Sequence, residues 1–225
     1  MQFTYGATFY ANVIINFIQS PYLAYSSYEI FKMNYSEDRL PINLELMSNK
    51  LLKDDRVKDV IVKSLLGLRS SGSMYSINSS NWVYRPVSDV LYVPKAQCYK
   101  NFPPIFVAVQ KIVDSTFMEK IILYSISLYE EYKILPILLI ISVEEFSNED
   151  VKSKFQENEG VALMEINCAF WANSCYLLWR ESILNVDDGS PVDTLIALAS
   201  CVINAENSSQ SDSPAINYFF EIAYE

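Results

Sequence analysis

Residues 136–143 read Pro-Ile-Leu-Leu-Ile-Ile-Ser-Val, an apolar run that a proline opens and that shows no polar alternation. A run of this kind marks a strand covered on both faces, usually in a sheet layered between helices. Upstream of it, residues 116–133 carry Phe117, Ile121, Tyr124, Leu128 and Tyr132 at helical spacing, and Thr116 with Glu119 offers a capping box. Further upstream lie IFVAVQ (105–110) and WVYRPVSDVLYV (82–93), both rich in aromatic and β-branched residues. The turn-rich stretch PKAQCYKNFPP (94–104) joins them as a long-loop hairpin. A hairpin, a crossover helix and a buried strand imply a mixed sheet, antiparallel at one side and parallel at the other. The expected fold class is therefore α/β: a mixed β-sheet flanked by helices.

Downstream, Ser147 and Asp150 have capping-box spacing for another helix, and residues 161–171 read as a further strand. Ser190, Pro191 and Asp193 supply an N-cap, a proline at the first helical position and an acid at the third, opening a helix over 193–203. Ser213 and Pro214 repeat that start for a last helix through Ile222. In the other direction, residues 41–68 have a helical period in Leu44, Met47, Leu51 and Leu52, then Val57, Val60, Ile61 and Leu65. RSSGSMYSINSS (69–80) is small and polar and reads as a flexible loop or linker. The first forty residues are aromatic, and Phe9, Val13, Asn16 and Phe17 could share a helical face. The expected organisation is a helical N-terminal segment and loop over 1–80, ahead of a core over 81–225.

Composition narrows the chemistry. The chain has 225 residues, 51% of them hydrophobic and 20% charged, which suits a sizeable buried core and excludes global disorder. Lys and Arg total 17 against 27 Asp and Glu, a formal charge of −10. A general nucleic-acid coat needs a basic face, so only a local basic cleft remains open to such a partner. There is no His, which excludes Ser-His-Asp and Cys-His triads, His-ligated zinc and imidazole switches. The four cysteines (Cys98, Cys168, Cys175 and Cys201) form no CxxC pair, and the five glycines form no phosphate-cradling loop. Residues 2–10 lack a basic leader region, and the apolar stretch 117–143 is interrupted by Glu130, Glu131 and Lys133. These features read as a soluble intracellular protein, cytoplasmic or nuclear, with reduced buried thiols and no membrane partner.

What survives is carboxylate-based metal chemistry, with Mg²⁺ or Mn²⁺ held by acids, water and substrate phosphate. Asp89 is an acid within a run that otherwise reads as a half-buried strand. Burial there costs desolvation energy unless the carboxylate is paired or holds a cation; an outward-facing Asp at a turn is the simpler reading. Gln110 ends IFVAVQ just before Lys111. Hydrogen bonding to the next loop is its simpler reading.

Several pieces in order carry a resemblance: Ser88-Asp89-Val90-Leu91, Phe106-Val107-Ala108-Val109-Gln110, Val113-Asp114-Ser115-Thr116-Phe117, then Lys120, Tyr124 and Leu135-Pro136-Ile137-Leu138-Leu139. Over about residues 82 to 224 the chain resembles the PD-(D/E)XK nuclease superfamily, with its restriction-endonuclease-like core. Within that superfamily it is similar to the Rpn-like, transposase-associated branch and its expanded fungal relatives. The late Ser190-Pro191 helix and the ending Ile222-Ala223-Tyr224 also resemble that branch, whereas YEIFK (28–32) has Tyr28 where the family has an acid. The resemblance implies Mg²⁺-dependent DNA phosphodiester hydrolysis, with Asp89 as the first metal ligand and Gln110 at the lysine position that orients the attacking water. Lys120 would reach the scissile phosphate or simply face solvent.

The departure is Ala108, which stands where the second metal acid belongs. Losing one carboxylate removes a charge and a ligand, so metal affinity and cleavage should both fall steeply. The alanine is either natural or an engineered replacement, or a displaced acid (Glu119, Glu29 or Glu45) substitutes for it. A DNA partner would need a local basic rim from Arg85, Lys95, Lys100, Lys111 and Lys120. Should those cations scatter, the alternative is a non-catalytic module that uses the same scaffold to bind a protein partner.

Overall fold

A single extended residue, Asp54, divides the helical stretch after Pro41 into α1 (Ile42–Lys53) and α2 (Asp55–Leu66). Its carboxylate accepts from the Arg56 amide, so the residue that ends one helix caps the start of the next. α2 stops at Gly67, whose φ of 87° suits a residue without Cβ. The computed structural model describes residues 40–78, 88–98, 102–158, 161–183, 191–205 and 212–225. The N-terminal aromatic segment and residues 82–87 lie outside the described residues.

The stretch 69–80 does not behave as a linker where it is described. Gly72–Met74 forms a 3₁₀ turn and Tyr75–Asn78 forms β1. The Gly72 amide donates to the Asp59 carboxylate at 2.8 Å, and the Ser71 hydroxyl donates to the same oxygen at 3.1 Å. Small residues here permit a close approach to α2 that their polarity alone disguises as flexibility.

The hairpin expected from sequence is present, with β2 (Val90–Pro94) antiparallel to β3 (Ile105–Gln110). β2 also pairs antiparallel with β1. A long helix, α3 (Ser115–Tyr132), then crosses over to β4 (Ile137–Ser142), which lies parallel to β3. The cap of α3 is Asp114, accepting from the Phe117 amide at 2.6 Å, so the helix starts one residue before the expected Thr116. It ends at Lys133, which adopts a left-handed conformation.

β4 is buried along its whole length, and its two neighbours are both parallel. Burying one of its Leu or Ile side chains contributes about 1.5–3 kcal/mol. After β4 come a one-turn helix α4 (Glu149–Lys152), then β5 (Phe155–Asn158), β6 (Val161–Ile166) and β7 (Ser174–Leu178). The cap of α4 is Asn148 rather than Ser147. β6 ends at Ile166, and the residues expected to prolong it to 171 form a turn. The sheet order is β1-β2-β3-β4-β7-β6-β5. α5 (Pro191–Ile203) and α6 (Pro214–Tyr224) complete the chain with the proline starts expected of them.

The sheet therefore has helices on both sides, as the α/β expectation requires. On one face Val90, Tyr92, Val107, Val109 and Leu139 share a core with α1, α2, α5 and α6. On the other, Phe106 meets Tyr124 of α3 with ring centroids 5.5 Å apart. Asp38–Glu225 is one unit, so α1 and α2 belong to the same core as the sheet. Lys50 donates to the Ala223 carbonyl at 3.1 Å and Arg56 contacts Glu225 at 2.7 Å, which ties the end of α6 to α1 and α2. Among the described residues, no helix is long and apolar enough to cross a membrane.

Candidate functional site

Asp89, Ala108 and Gln110, three of the residues expected at a site, lie where the β2–β3 hairpin opens. Val90 pairs with Val107, so one step outward on each strand sets Asp89 opposite Ala108. Side chains alternate along a strand, which puts Ala108 and Gln110 on the Phe106 face, under α3, while Asp89, just ahead of β2, turns its carboxylate to the Val109 amide. Gln110 pairs with Ser142 at the ends of the parallel strands β3 and β4. Lys120 lies in the second turn of α3, partly buried. Asp89, Ala108 and Gln110 thus fall at one end of the hairpin.

Asp89 is only 5% exposed, and its carboxylate is engaged with the neighbouring strand. Its Oδ1 accepts from the Val109 amide at 3.3 Å. The Ser88 hydroxyl is placed to donate to the Val109 carbonyl at 3.3 Å and to Asp89 Oδ1 at 3.5 Å. Ala108, across from Asp89, is fully buried and offers only a methyl group. Directly opposed Cβ atoms on antiparallel strands stand about 4.5–5.5 Å apart, close enough for two acids to share a cation had position 108 carried one.

The described donors do not fit a resident Mg²⁺. No three Asp, Glu, Cys or His side chains gather among the described residues. Asp89 already serves a backbone amide, and Ala108 brings no oxygen. Of the displaced acids considered, Glu45 is on α1, which packs against the opposite face of the sheet. Glu119 is on α3, next to Lys120, and Glu29 lies outside the described residues.

The expected basic rim is divided. Lys111 follows Gln110 directly, with its ammonium 3.8 Å from the Glu144 carboxylate. Lys120 is on the helix above the same face. Lys95 is at the other end of β2, where its amide donates to the Met74 carbonyl. Six residues of extended chain separate it from Asp89, roughly 20 Å. Arg85 and Lys100 lie outside the described residues.

Two serines were not singled out by sequence. Ser88 bonds the same residue as Asp89. Ser142 donates to the Glu144 carbonyl at 2.8 Å and holds the loop after β4 beside Lys111. Single hydroxyls at strand ends carry no motif, so nothing in the sequence distinguishes them from solvated serines. No family model, curated protein or solved structure matches this chain.

Proposed function

We propose that this chain is a nuclease-fold domain: a scaffold of Mg²⁺-dependent DNA phosphodiester hydrolysis that lacks its second metal carboxylate and does not cleave as it stands. The cross-strand placement of Asp89 opposite Ala108, with Gln110 two residues beyond on the same face, carries this reading. A glutamate at position 108 would stand beside Asp89, in reach of a shared cation; the methyl group supplies no second carboxylate. The test is Mg²⁺- and Mn²⁺-dependent nicking of supercoiled plasmid by the chain and by its Ala108→Glu variant. Nicking by Ala108→Glu alone is the expected result. If both proteins are folded and neither nicks, the nuclease reading loses its support.

A second reading, a non-catalytic protein-interaction module on the same scaffold, draws on the divided rim and on an apolar stripe. Lys95 is remote from Asp89, and Lys111 faces an acid. Ile42 and Leu46, one turn apart on α1, are 72% and 59% exposed. Titration of a labelled DNA duplex at low salt separates the two. Binding that Lys111→Ala and Lys120→Ala weaken favours nucleic acid; no binding at any salt favours a protein partner.

A further inference from the structure

We propose that Asp89 in this chain is a clasp closing the β2–β3 hairpin, so that the place of a metal ligand has become a structural joint. The inference rests on the nuclease-fold reading for its history, but its physical content stands on the hydrogen bonds themselves. Val109 is the last fully buried residue of β3, and its backbone N–H and C=O both need partners in a dry environment. β2 starts at Val90, so the ladder facing Val109 has to be completed by residues that precede the strand. Asp89 accepts from the Val109 N–H and Ser88 donates to the Val109 C=O. Two adjacent side chains thus serve both backbone groups of one residue, and both side chains are buried.

Ala108 makes this arrangement tenable. A second acid opposite Asp89 would place like charges side by side in a buried site, which is costly unless a cation lies between them. With a methyl there, position 108 brings no anion to Asp89, whose Oδ1 accepts from the Val109 amide. The amide of Val109 engages Oδ1, as a clasp requires.

Thermal unfolding and amide hydrogen exchange of the intact chain test the proposal, with and without millimolar MgCl₂ or MnCl₂. Asp89→Asn keeps an oxygen acceptor and should leave the midpoint near that of the unmodified chain. Asp89→Ala should lower it by about 2–4 °C or more. Should Asp89→Ala fail to fold, Ser88→Ala and Asp89→Asn still report through the Val109 amide. That amide should exchange on the order of tenfold faster once its strand end loosens in Ser88→Ala, and much less so in Asp89→Asn. Neither metal should move the midpoint of the unmodified chain. A metal-dependent rise in that midpoint, abolished by Asp89→Asn, overturns the proposal, as does an Asp89→Ala variant as stable as the unmodified chain. Ala108→Glu keeps the two readings apart. A metal-dependent rise in that variant supports the nuclease-fold reading, whereas its absence counts against that reading and leaves the clasp to the Asp89 variants.

Discussion

The Tyr92 hydroxyl donates to the Leu52 carbonyl at 2.6 Å, joining the middle of β2 to the last turn of α1. Both residues are fully buried. Carbonyls in the last turn of a helix have no partner within the helix, so the phenol satisfies a group that would otherwise be stranded in the core. Burial also pushes this phenol well above the usual tyrosine pKa, so it remains a donor throughout the physiological range.

Tyr92→Phe should therefore destabilise the chain by about 1–3 kcal/mol, the penalty for leaving a buried acceptor unsatisfied. The ring itself is preserved, so no large cavity adds to the effect. A urea titration that gives a lower midpoint and an unchanged slope checks this. An unchanged midpoint would mean that the carbonyl finds another partner.

Gly72→Ala should be damaging for a different reason. A Cβ there would come within 2.7 Å of the Asp59 backbone nitrogen and Cα, and helix α2 cannot yield as the end of a side chain could. The expected loss is about 1–3 kcal/mol, typical of overpacking. Gly67→Ala meets no atom within 4 Å but must hold a φ of +87°. Its loss should be about 1 kcal/mol, and differential scanning calorimetry of the two variants ranks them.

The strongest parts of the fold were legible because their signals were redundant. The run 136–143 had no alternation, and β4 is buried on both faces between parallel neighbours. The proline starts of α5 and α6 were equally plain. β1, β5 and β7 were not legible, because each is four or five residues long and carries polar positions. Their pairing is decided by neighbours distant in sequence. The site divides the same way. Asp89 and Gln110 stand out along the chain as polar residues in apolar runs, but the engagement of Asp89 with Val109 depends on register, which one strand cannot state alone.

Thiol labelling checks the packing of the second half of the chain. Cys168, Cys175 and Cys201 are buried, and Cys98 is partly exposed. Burial raises the thiols of Cys168 and Cys175 and pushes that of Cys201 up to about 12. Thiolate is the reactive form, so these three should resist a disulfide reagent at pH 8 in the folded protein. Cys98 should react first, and the other three only with unfolding. Early modification of Cys201, found by mass spectrometry of the labelled peptides, would contradict the packing of α5 against the sheet.

The last prediction concerns acid stability and the joint between the two N-terminal helices. Arg56 reaches Asp54 twice, through Nε at 3.0 Å and Nη2 at 2.9 Å, and the same Nη2 lies 2.7 Å from Glu225. The hydrogen bonds from Arg56 hold the Asp54 carboxyl below its ordinary value of 3.8, and they lower that of Glu225 as well. A carboxylate whose folded pKa lies below its unfolded one adds stability above the unfolded value and loses it as pH falls through the folded value. The unfolding midpoint should thus decline as pH is taken below about 4, as protons bind to the unfolded chain first. Asp54→Asn still caps α2, because asparagine serves as an N-cap nearly as well as aspartate. It should make the acid limb of the stability profile shallower while changing the midpoint at pH 7 only modestly. Both pairs are solvent-accessible, so the effect should shrink in high salt. Urea titrations between pH 3 and pH 7 at two ionic strengths measure it, and an identical acid limb in both proteins would assign the acid sensitivity to other carboxylates.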